Sequence, residues 1–410
     1  MTDREYDVLI IGAGPAGIAA ACAAAESGSR VLVLDDNPVP GGQIWRGGAP
    51  EATPWLERLV RSGAEVLGGT RAAVVIRGGV LLAERQAEGI EIGYRNLVLA
   101  TGARELFLPF PGWTLPNVTG AGGLQALVKS GLPIKSKRVV VAGTGPLLVA
   151  VAAYLRAHGA KVLAIVEQAA FSNLIGFVLS GVLSAGKLLQ AFGLQTRLLG
   201  VPVRTGSWVV QAEGPGKLER VTLSNGQTLE CDYLACGFSL VPNLELAQML
   251  GCEIEEGFVG TGALQETSVA GVYCAGEPTG IGGLDRSLVQ GEIAGYAAAG
   301  AENKVQRLLK ARDRHERFSH ALAECFALRD ELRRLATPET IVCRCEDVTL
   351  GRIREESNWT AAKLQTRCGM GPCQGRICGA ALEFLEGYPR SSVRPPAFPV
   401  SMGVLAGKRD

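Results

Sequence analysis

Residues 8–17 read Val8-Leu9-Ile10-Ile11-Gly12-Ala13-Gly14-Pro15-Ala16-Gly17, and this stretch decides the fold. Four apolar residues in a row make a short strand of the fully buried kind. Gly12, Gly14 and Gly17 follow with the spacing G-x-G-x-x-G, and the small residues Ala16–Ala25 favour a helix. A second apolar run, Val31-Leu32-Val33-Leu34, ends in Asp35 and Asp36. Strand, glycine turn, helix, strand and acid are the parts of a dinucleotide-binding unit. Gly12 permits the tight turn, Gly14 lets the backbone approach a pyrophosphate, and Gly17 lets helix and strand pack closely. Pro15 and Ala16 open the helix, whose unpaired N–H groups would hold the pyrophosphate. Asp35 lies 23 residues after Gly12, near the roughly 20 expected for a ribose-binding carboxylate, and Asp36 is the alternative one position on.

The same pattern returns further along. Arg138–Ala142 reads as a strand, Gly143-Thr144-Gly145-Pro146 as a turn, Leu147–Ala157 as a helix and Lys161–Val166 as a strand ending in Glu167. Here Leu148 stands where the third glycine or alanine belongs. The unit is either an NAD(P)H site or a dinucleotide fold kept for structure. Ser224-Asn225-Gly226-Gln227 reads as a hairpin turn. Residues 302–335 are charged, with apolar positions at helical spacing, and read as an amphipathic helix stopped by Thr337-Pro338.

Composition bounds the function. The 410 residues predict two or three domains. At 47% hydrophobic and 20% charged the chain can bury large cores, and a net charge of +1 asks for neither nucleic acid nor an anionic membrane. Glycine, at 54 residues, is nearly twice its usual share, as close approaches of backbone to ligand require. Two charge-free runs, 8–25 and 168–186, are near membrane-span length, but the first holds the glycine motif and the second five polar residues. With no signal peptide at the start, the expectation is a cytoplasmic protein without a transmembrane segment, peripheral at most to the inner membrane through an electron acceptor. The histidines, His158, His315 and His320, form no acid–base pair and read as solvated or helix-terminal.

Five of the eleven cysteines fall within 343–378. Cys343 and Cys345 are spaced C-x-C, and Cys373 and Cys378 C-x4-C. C-x-C is poor spacing for zinc, whereas four thiolates in two pairs suit a [2Fe–2S] cluster. The remaining cysteines, Cys231 and Cys236 among them, read as small buried residues.

The first glycine motif, Gly41-Gly42-Gln43, Ala100-Thr101-Gly102 and Ala275-Gly276-Glu277 together resemble the glutathione and thioredoxin reductase superfamily over residues 6–300. The resemblance implies FAD at the first site, touched by Gly42, Gln43, Thr101, Gly102, Gly276 and Glu277. Glu277 departs from the aspartate usual there. Residues 343–349 with 366–378 resemble the bacterioferritin-associated ferredoxin-like [2Fe–2S] domain. That resemblance gives ligand roles to Cys343, Cys345, Cys373 and Cys378, leaving Cys368 as a non-ligand. Arg344, Arg367 and Arg376 are expected to offset the cluster's negative charge.

The whole chain resembles the α-type subunits of bacterial multi-subunit flavin dehydrogenases, which include opine oxidases, D-hydroxyproline and proline dehydrogenases and the B subunit of hydrogen cyanide synthase. The resemblance implies an α/β fold of two Rossmann-like domains of the glutathione reductase type, plus a small helical [2Fe–2S] domain. It also implies an electron-relay role in a hetero-oligomer. A β-type flavoprotein partner oxidises the amino or imino acid, with FMN at a subunit interface and a small ferredoxin-like γ subunit in some members. Some relatives hold another adenine nucleotide in place of FAD. The expected boundaries are 1–105 with 256–300 for the FAD domain and 106–255 for the second domain. A helical linker follows at 301–336, the cluster domain at 337–390 and a Pro-rich tail at 391–410. The apolar segment Ala169–Leu183 is either partner-facing or a buried helix.

Overall fold

A computed structural model of the chain describes residues 5–183, 186, 193, 196–389 and 393–406. Residues 184 and 185 of the second charge-free run, Arg390 and parts of the expected tail lie outside the described residues. Among the described residues no helix is long and apolar enough to cross a membrane.

The chain divides into two compact units, Met1–Arg104 with Pro242–Ser319 and Ser392–Asp410, and Glu105–Val241 with His320–Ser391. In the first, the strand Glu5–Ile11 sits mid-sheet, parallel to Val31–Leu34 on one side and to Glu88–Leu99 on the other. Val8 and Ile10 pack under the helix Pro15–Ala25, while Leu9 and Ile11 enter a second core on the opposite face. A parallel strand covered on both faces has no polar side, which is why its sequence is an unbroken apolar run. The 12-residue strand Glu88–Leu99 has two further partners besides Glu5–Ile11. Its first half pairs antiparallel with Val80–Arg85, and its last residues pair parallel with Val272–Cys274. The late strand leads into Leu284–Ala298, a helix packed on Pro15–Ala25 so closely that a Cβ at Gly291 would stand 2.2 Å from the Ala16 carbonyl oxygen.

Two expected boundaries move. Residues 242–255 belong to the first unit because Leu244, Leu246, Ala247 and Cys252 fill its core. The Pro-rich tail is not a free end. Ala397 N–H donates to Ala73 O at 2.9 Å, and Ala397 is 7% exposed against the sheet.

The second unit repeats the pattern. Its parallel sheet runs Val203–Thr205, Lys161–Glu167, Arg138–Gly143, Tyr233–Gly237, Val118–Gly120, with the helix Pro146–Ala157 following the glycine turn. Leu148 is 1% exposed in the core between that helix and the sheet, so leucine is accommodated by packing. The hairpin expected at 224–227 joins antiparallel strands with Thr222 opposite Thr228. Cys231 and Cys236 are free and buried. The helix Phe171–Leu179 exposes Phe171, Ile175, Val178 and Leu179, so it is not a buried core helix within its unit.

The charged helix ends at Cys325, ten residues before the expected 335. The cause lies in the segment that follows. Gln168, wholly buried, donates its amide to Ala327 O at 3.1 Å and accepts Arg329 N–H at 3.3 Å, holding 327–329 out of helical form. A 3-10 turn, Asp330–Arg334, leads on. His315 is 8% exposed within the charged helix and so is not solvated as expected, while His320 is exposed.

The cysteine-rich segment is a small module. Ile341–Cys343 and Val348–Thr349 form a short antiparallel pair, followed by helices Leu350–Arg354, Trp359–Thr366 and Cys378–Glu386. Val342, Val348, Leu350, Ile353, Trp359 and Leu382 make its core. Trp113 of the same unit donates its indole N–H to Ile341 O at 2.6 Å.

Candidate functional site

The first glycine loop is shaped by close backbone approaches. Gly12 has φ 108°, and a Cβ there would stand 2.2 Å from Ala100 O; one at Gly17 would stand 1.8 Å from Gly12 O. The helix from Pro15 has no side-chain cap and no acid in its first turn, so its first N–H groups are left for an anion. Gly41 N–H donates to Ala13 O at 2.7 Å, which lays the Gly41-Gly42 loop on the glycine turn; a Cβ at Gly42 would come to 3.0 Å from Gly14 Cα. Gln43 beside it is exposed. Close approach of backbone to backbone shapes this turn, as an ADP-binding loop needs.

Asp35 has another task than the one its spacing suggests. It is 8% exposed; Oδ2 accepts Ala13 N–H at 2.6 Å, and Oδ1 accepts Asn37 N–H at 2.7 Å and the Asn37 amide at 2.8 Å. Both oxygens hold the loop, leaving little for a ribose. Asp36 is exposed at the strand end, 3.6 Å from Arg71. Consecutive residues at a strand end point to opposite sides, so only one of the two carboxylates reaches outward.

Thr101 and Gly102 are locked by Asn243, a residue the sequence did not flag. Thr101 Oγ1 donates to Asn243 O at 2.7 Å, the Asn243 amide donates to Thr101 O at 2.8 Å, and Asn243 N–H donates to Gly102 O at 3.0 Å. Gly276 N–H donates to Gln290 Oε1, and a Cβ at Gly276 would press 2.9 Å from the Ala16 methyl. The Glu277 carboxylate turns to the start of the helix Leu284–Ala298, accepting Gly283 N–H at 2.9 Å, while its other oxygen is buried without a partner. Burial raises this carboxyl above its ordinary range against the pull of the Gly283 N–H. Arg286, 3% exposed, fixes the intervening turn through the carbonyls of Gly276, Thr279 and Gly280 and an ion pair to Glu316 at 3.0 Å.

The second glycine loop has consumed its own acid. Glu167 is 5% exposed; it accepts the Thr144 hydroxyl at 2.7 Å, Gly145 N–H at 2.8 Å and Ala169 N–H at 2.8 Å. Burial raises its carboxyl and those bonds pull it back. Gln168 donates to Thr144 Oγ1 as well as to Ala327 O, so the chain's own 327–329 segment is bonded to the residue that follows the strand end.

The cysteine module brings five sulfurs together rather than four. The Cys343, Cys368 and Cys378 sulfurs lie within 4.8 Å of one another, all buried. The Cys373 sulfur meets those of Cys378 and Cys345, the last exposed at the rim. Thiol donation from Cys368 and Cys378, with N–H groups of Gly369 and Glu346, holds Cys343 down at about 2; Cys368 beside that thiolate is pushed up to about 12. Cys373 is lowered to about 5, chiefly by the Cys378 thiol, and Cys378 is raised by its sulfur neighbours. A Cβ at Gly371 would stand 2.4 Å from Cys345 Cβ, so the loop closes over the rim only as glycine. The donor set fits an iron–sulfur centre: the sulfurs are clustered, mostly buried, and supported by backbone N–H groups. Of the three arginines expected to offset cluster charge, Arg367 is spent on Glu346 at 2.8 Å, Arg376 donates to Cys373 O, and Arg344 is exposed. Cys368, set aside as a non-ligand on the sequence, lies among them.

Residues 6–302 match the pyridine nucleotide-disulphide oxidoreductase family. The chain belongs to that family. It is a member of a flavin-dependent oxidoreductase family with a mixed α/β dinucleotide-binding fold. Among its relatives, the A subunit of opine oxidase from Rhizobium meliloti (strain 1021) is 33% identical over 98% of both chains. The HcnB subunit of hydrogen cyanide synthase from Pseudomonas aeruginosa is 33% identical over 90% of both. These matches put the oxidoreductase in the group of opine oxidase A subunits and HcnB that its motifs resemble. Of solved structures, L-proline dehydrogenase from P. horikoshii shares the fold with TM-score 0.69 at 21% identity, over 98% of this chain and 79% of that one. Thioredoxin reductase from T. acidophilum shares it over 74% of this chain and 100% of that one, with TM-score 0.58 at 22% identity.

Proposed function

We propose that this oxidoreductase is the electron-transfer α subunit of a hetero-oligomeric flavin-dependent dehydrogenase or oxidase. Its β-type flavoprotein partner oxidises an amino or imino acid of the opine, D-hydroxyproline or proline kind. The observation that carries the reading is the contrast between the two glycine loops. Each loop spends its first acid on itself, Asp35 or Glu167, but the next residue is an exposed carboxylate, Asp36, in the first and a buried amide, Gln168, bonded to Ala327 O, in the second. In this reading the second loop takes no nicotinamide, and the chain receives its electrons from a partner. The names of its relatives, each one part of an enzyme acting on an opine or making cyanide, support the partner and the donor class.

In this reading Gly12, Gly14, Pro15, Ala16 and Gly17 hold the pyrophosphate of FAD, and Asp36 binds its ribose while Asp35 keeps the loop in shape. Gly42, Gln43, Thr101, Gly102 and Gly276 line the rest of the site, with Glu277 held at its helix terminus. Cys343, Cys345, Cys373 and Cys378 hold the [2Fe–2S] cluster. Bound FAD would supply a two-electron acceptor that releases electrons singly, and the cluster a one-electron carrier. No proton donor is required of this chain, and neither glycine loop contains a histidine. FMN at a subunit interface and a small ferredoxin-like γ subunit belong to the same assembly.

The test is an anaerobic visible spectrum of the purified chain on adding NADH or NADPH. The flavin band stays unbleached over minutes. Rapid bleaching would make the second loop a working nicotinamide site and the chain a self-sufficient reductase.

A further inference from the structure

A [2Fe–2S] centre takes four thiolates, and the module supplies a fifth sulfur at the same place. Cys368 is wholly buried, and its position is built rather than incidental. Arg367 ends the helix Trp359–Thr366 in the left-handed conformation, φ 64°, and turns the chain back. Cys368 N–H then donates to Thr366 Oγ1 at 3.2 Å, and that hydroxyl donates to Ala362 O at 2.5 Å. The next N–H, that of Gly369, reaches the Cys343 sulfur. A side chain at Gly369 would meet the Trp359 ring at 3.0 Å, so this turn has one path.

The charge count assigns the fifth sulfur its state. With two bridging sulfides and four thiolates an oxidised [2Fe–2S] centre already carries a net negative charge; a fifth thiolate with no exposed surface would add a further unpaired buried charge, which is strongly unfavourable. Cys368 therefore keeps its proton, and a buried S–H is a hydrogen-bond donor in search of an acceptor. The Cys343 sulfur already accepts the N–H groups of Gly369 and Glu346 and lies within 4.8 Å of Cys368.

Resting on the cluster reading above, we infer that Cys368 is a positioning residue whose S–H donates to the Cys343 thiolate and raises the reduction potential of the centre. Reduction adds one electron and no proton to a group that is already negative. A hydrogen bond to a ligand sulfur stabilises the reduced form more than the oxidised one.

The test uses the full chain, purified anaerobically, as wild type, Cys368→Ala and Cys368→Ser. Iron content, the electron paramagnetic resonance spectrum of the reduced form and a dye-mediated potential titration are read for each. Wild type and Cys368→Ala hold the same iron with the same four-thiolate spectrum. At a fixed ambient potential the reduced-to-oxidised ratio of Cys368→Ala falls about tenfold, about 59 mV for one electron. Cys368→Ser, which keeps a donor, recovers most of that loss. Two results overturn the inference: iron lost from Cys368→Ala, which makes Cys368 a ligand, or equal potentials in all three, which leaves it a packing residue. A wild type that binds no iron is a separate failure, overturning the cluster reading itself and this inference with it.

Discussion

Replacing Cys373 by alanine empties the cysteine module of iron and leaves the flavin in place. Of the four sulfurs assigned as ligands, Cys343 and Cys378 belong to the hydrophobic core of the module, so alanine there would mix loss of a ligand with loss of packing. Cys373 is half-buried in the loop between the helices Trp359–Thr366 and Cys378–Glu386 and contributes little to that core. Its sulfur is the one that meets both the inner Cys378 and the rim Cys345, so its removal breaks the set in two. Iron falls from about two per chain to less than a tenth of that. FAD content is unchanged, because the nucleotide loop belongs to the other compact unit. Thermal unfolding of the module shifts down as well, since metal binding is part of its folding free energy. Iron analysis with a visible spectrum reads the result; retention of iron by Cys373→Ala would mean that a different set of four sulfurs holds it.

Gly17→Ala abolishes FAD retention and destabilises the first unit by about 3 kcal/mol. The added methyl would lie 1.8 Å from Gly12 O and 2.9 Å from its carbonyl carbon. These are backbone atoms of the turn that must face the pyrophosphate. They have nowhere to go, because Gly12 N–H is bonded to Leu34 O at 2.7 Å and a shift at Gly12 would drive it into Ala100. The helix would have to move off the sheet, taking the anion-binding N–H groups with it. Asp36→Asn separates binding from folding. Its carboxylate is exposed and meets the Asn37 amide at 3.2 Å and Arg71 at 3.6 Å at the surface, where such contacts contribute little, so FAD affinity drops about tenfold while the melting temperature of the apo chain is unchanged. Flavin content after gel filtration and thermal unfolding of apo chains measure both.

What the sequence made legible follows from where its chemistry is local. Both strand–turn–helix–strand units could be read because parallel strands covered on two faces give unbroken apolar runs such as Val8–Ile11 and Val139–Val141, and glycine punctuates them. Asp35 and Asp36 could not be separated by spacing, since one residue decides which side of a strand end a carboxylate faces. Asn243 was invisible because it braces Thr101 from 142 residues away. The charged helix looked longer than it is because its amphipathic pattern continues past Cys325, while the buried amide of Gln168 bends the chain there. The C-x-C and C-x4-C pairs were evident, yet the part of Cys368 depends on a left-handed turn at Arg367 that no spacing encodes. The second loop looked half-degenerate on account of Leu148. The structure locates the difference instead one residue past the acid, where exposed Asp36 in the first unit is matched in the second by Gln168, buried and bonded to Ala327 O.

The relay is tested most directly by asking what reduces the cysteine module. The chain is purified anaerobically from its own source with whatever other chains accompany it. It is then treated separately with NADH and with a panel of opines and imino acids, and frozen for electron paramagnetic resonance. The expected result is that a second flavoprotein accompanies the chain and that an opine or imino acid produces the signal of a reduced [2Fe–2S] cluster, whereas NADH produces none. A chain that comes through alone and whose cluster is reduced by NADH would contradict the relay.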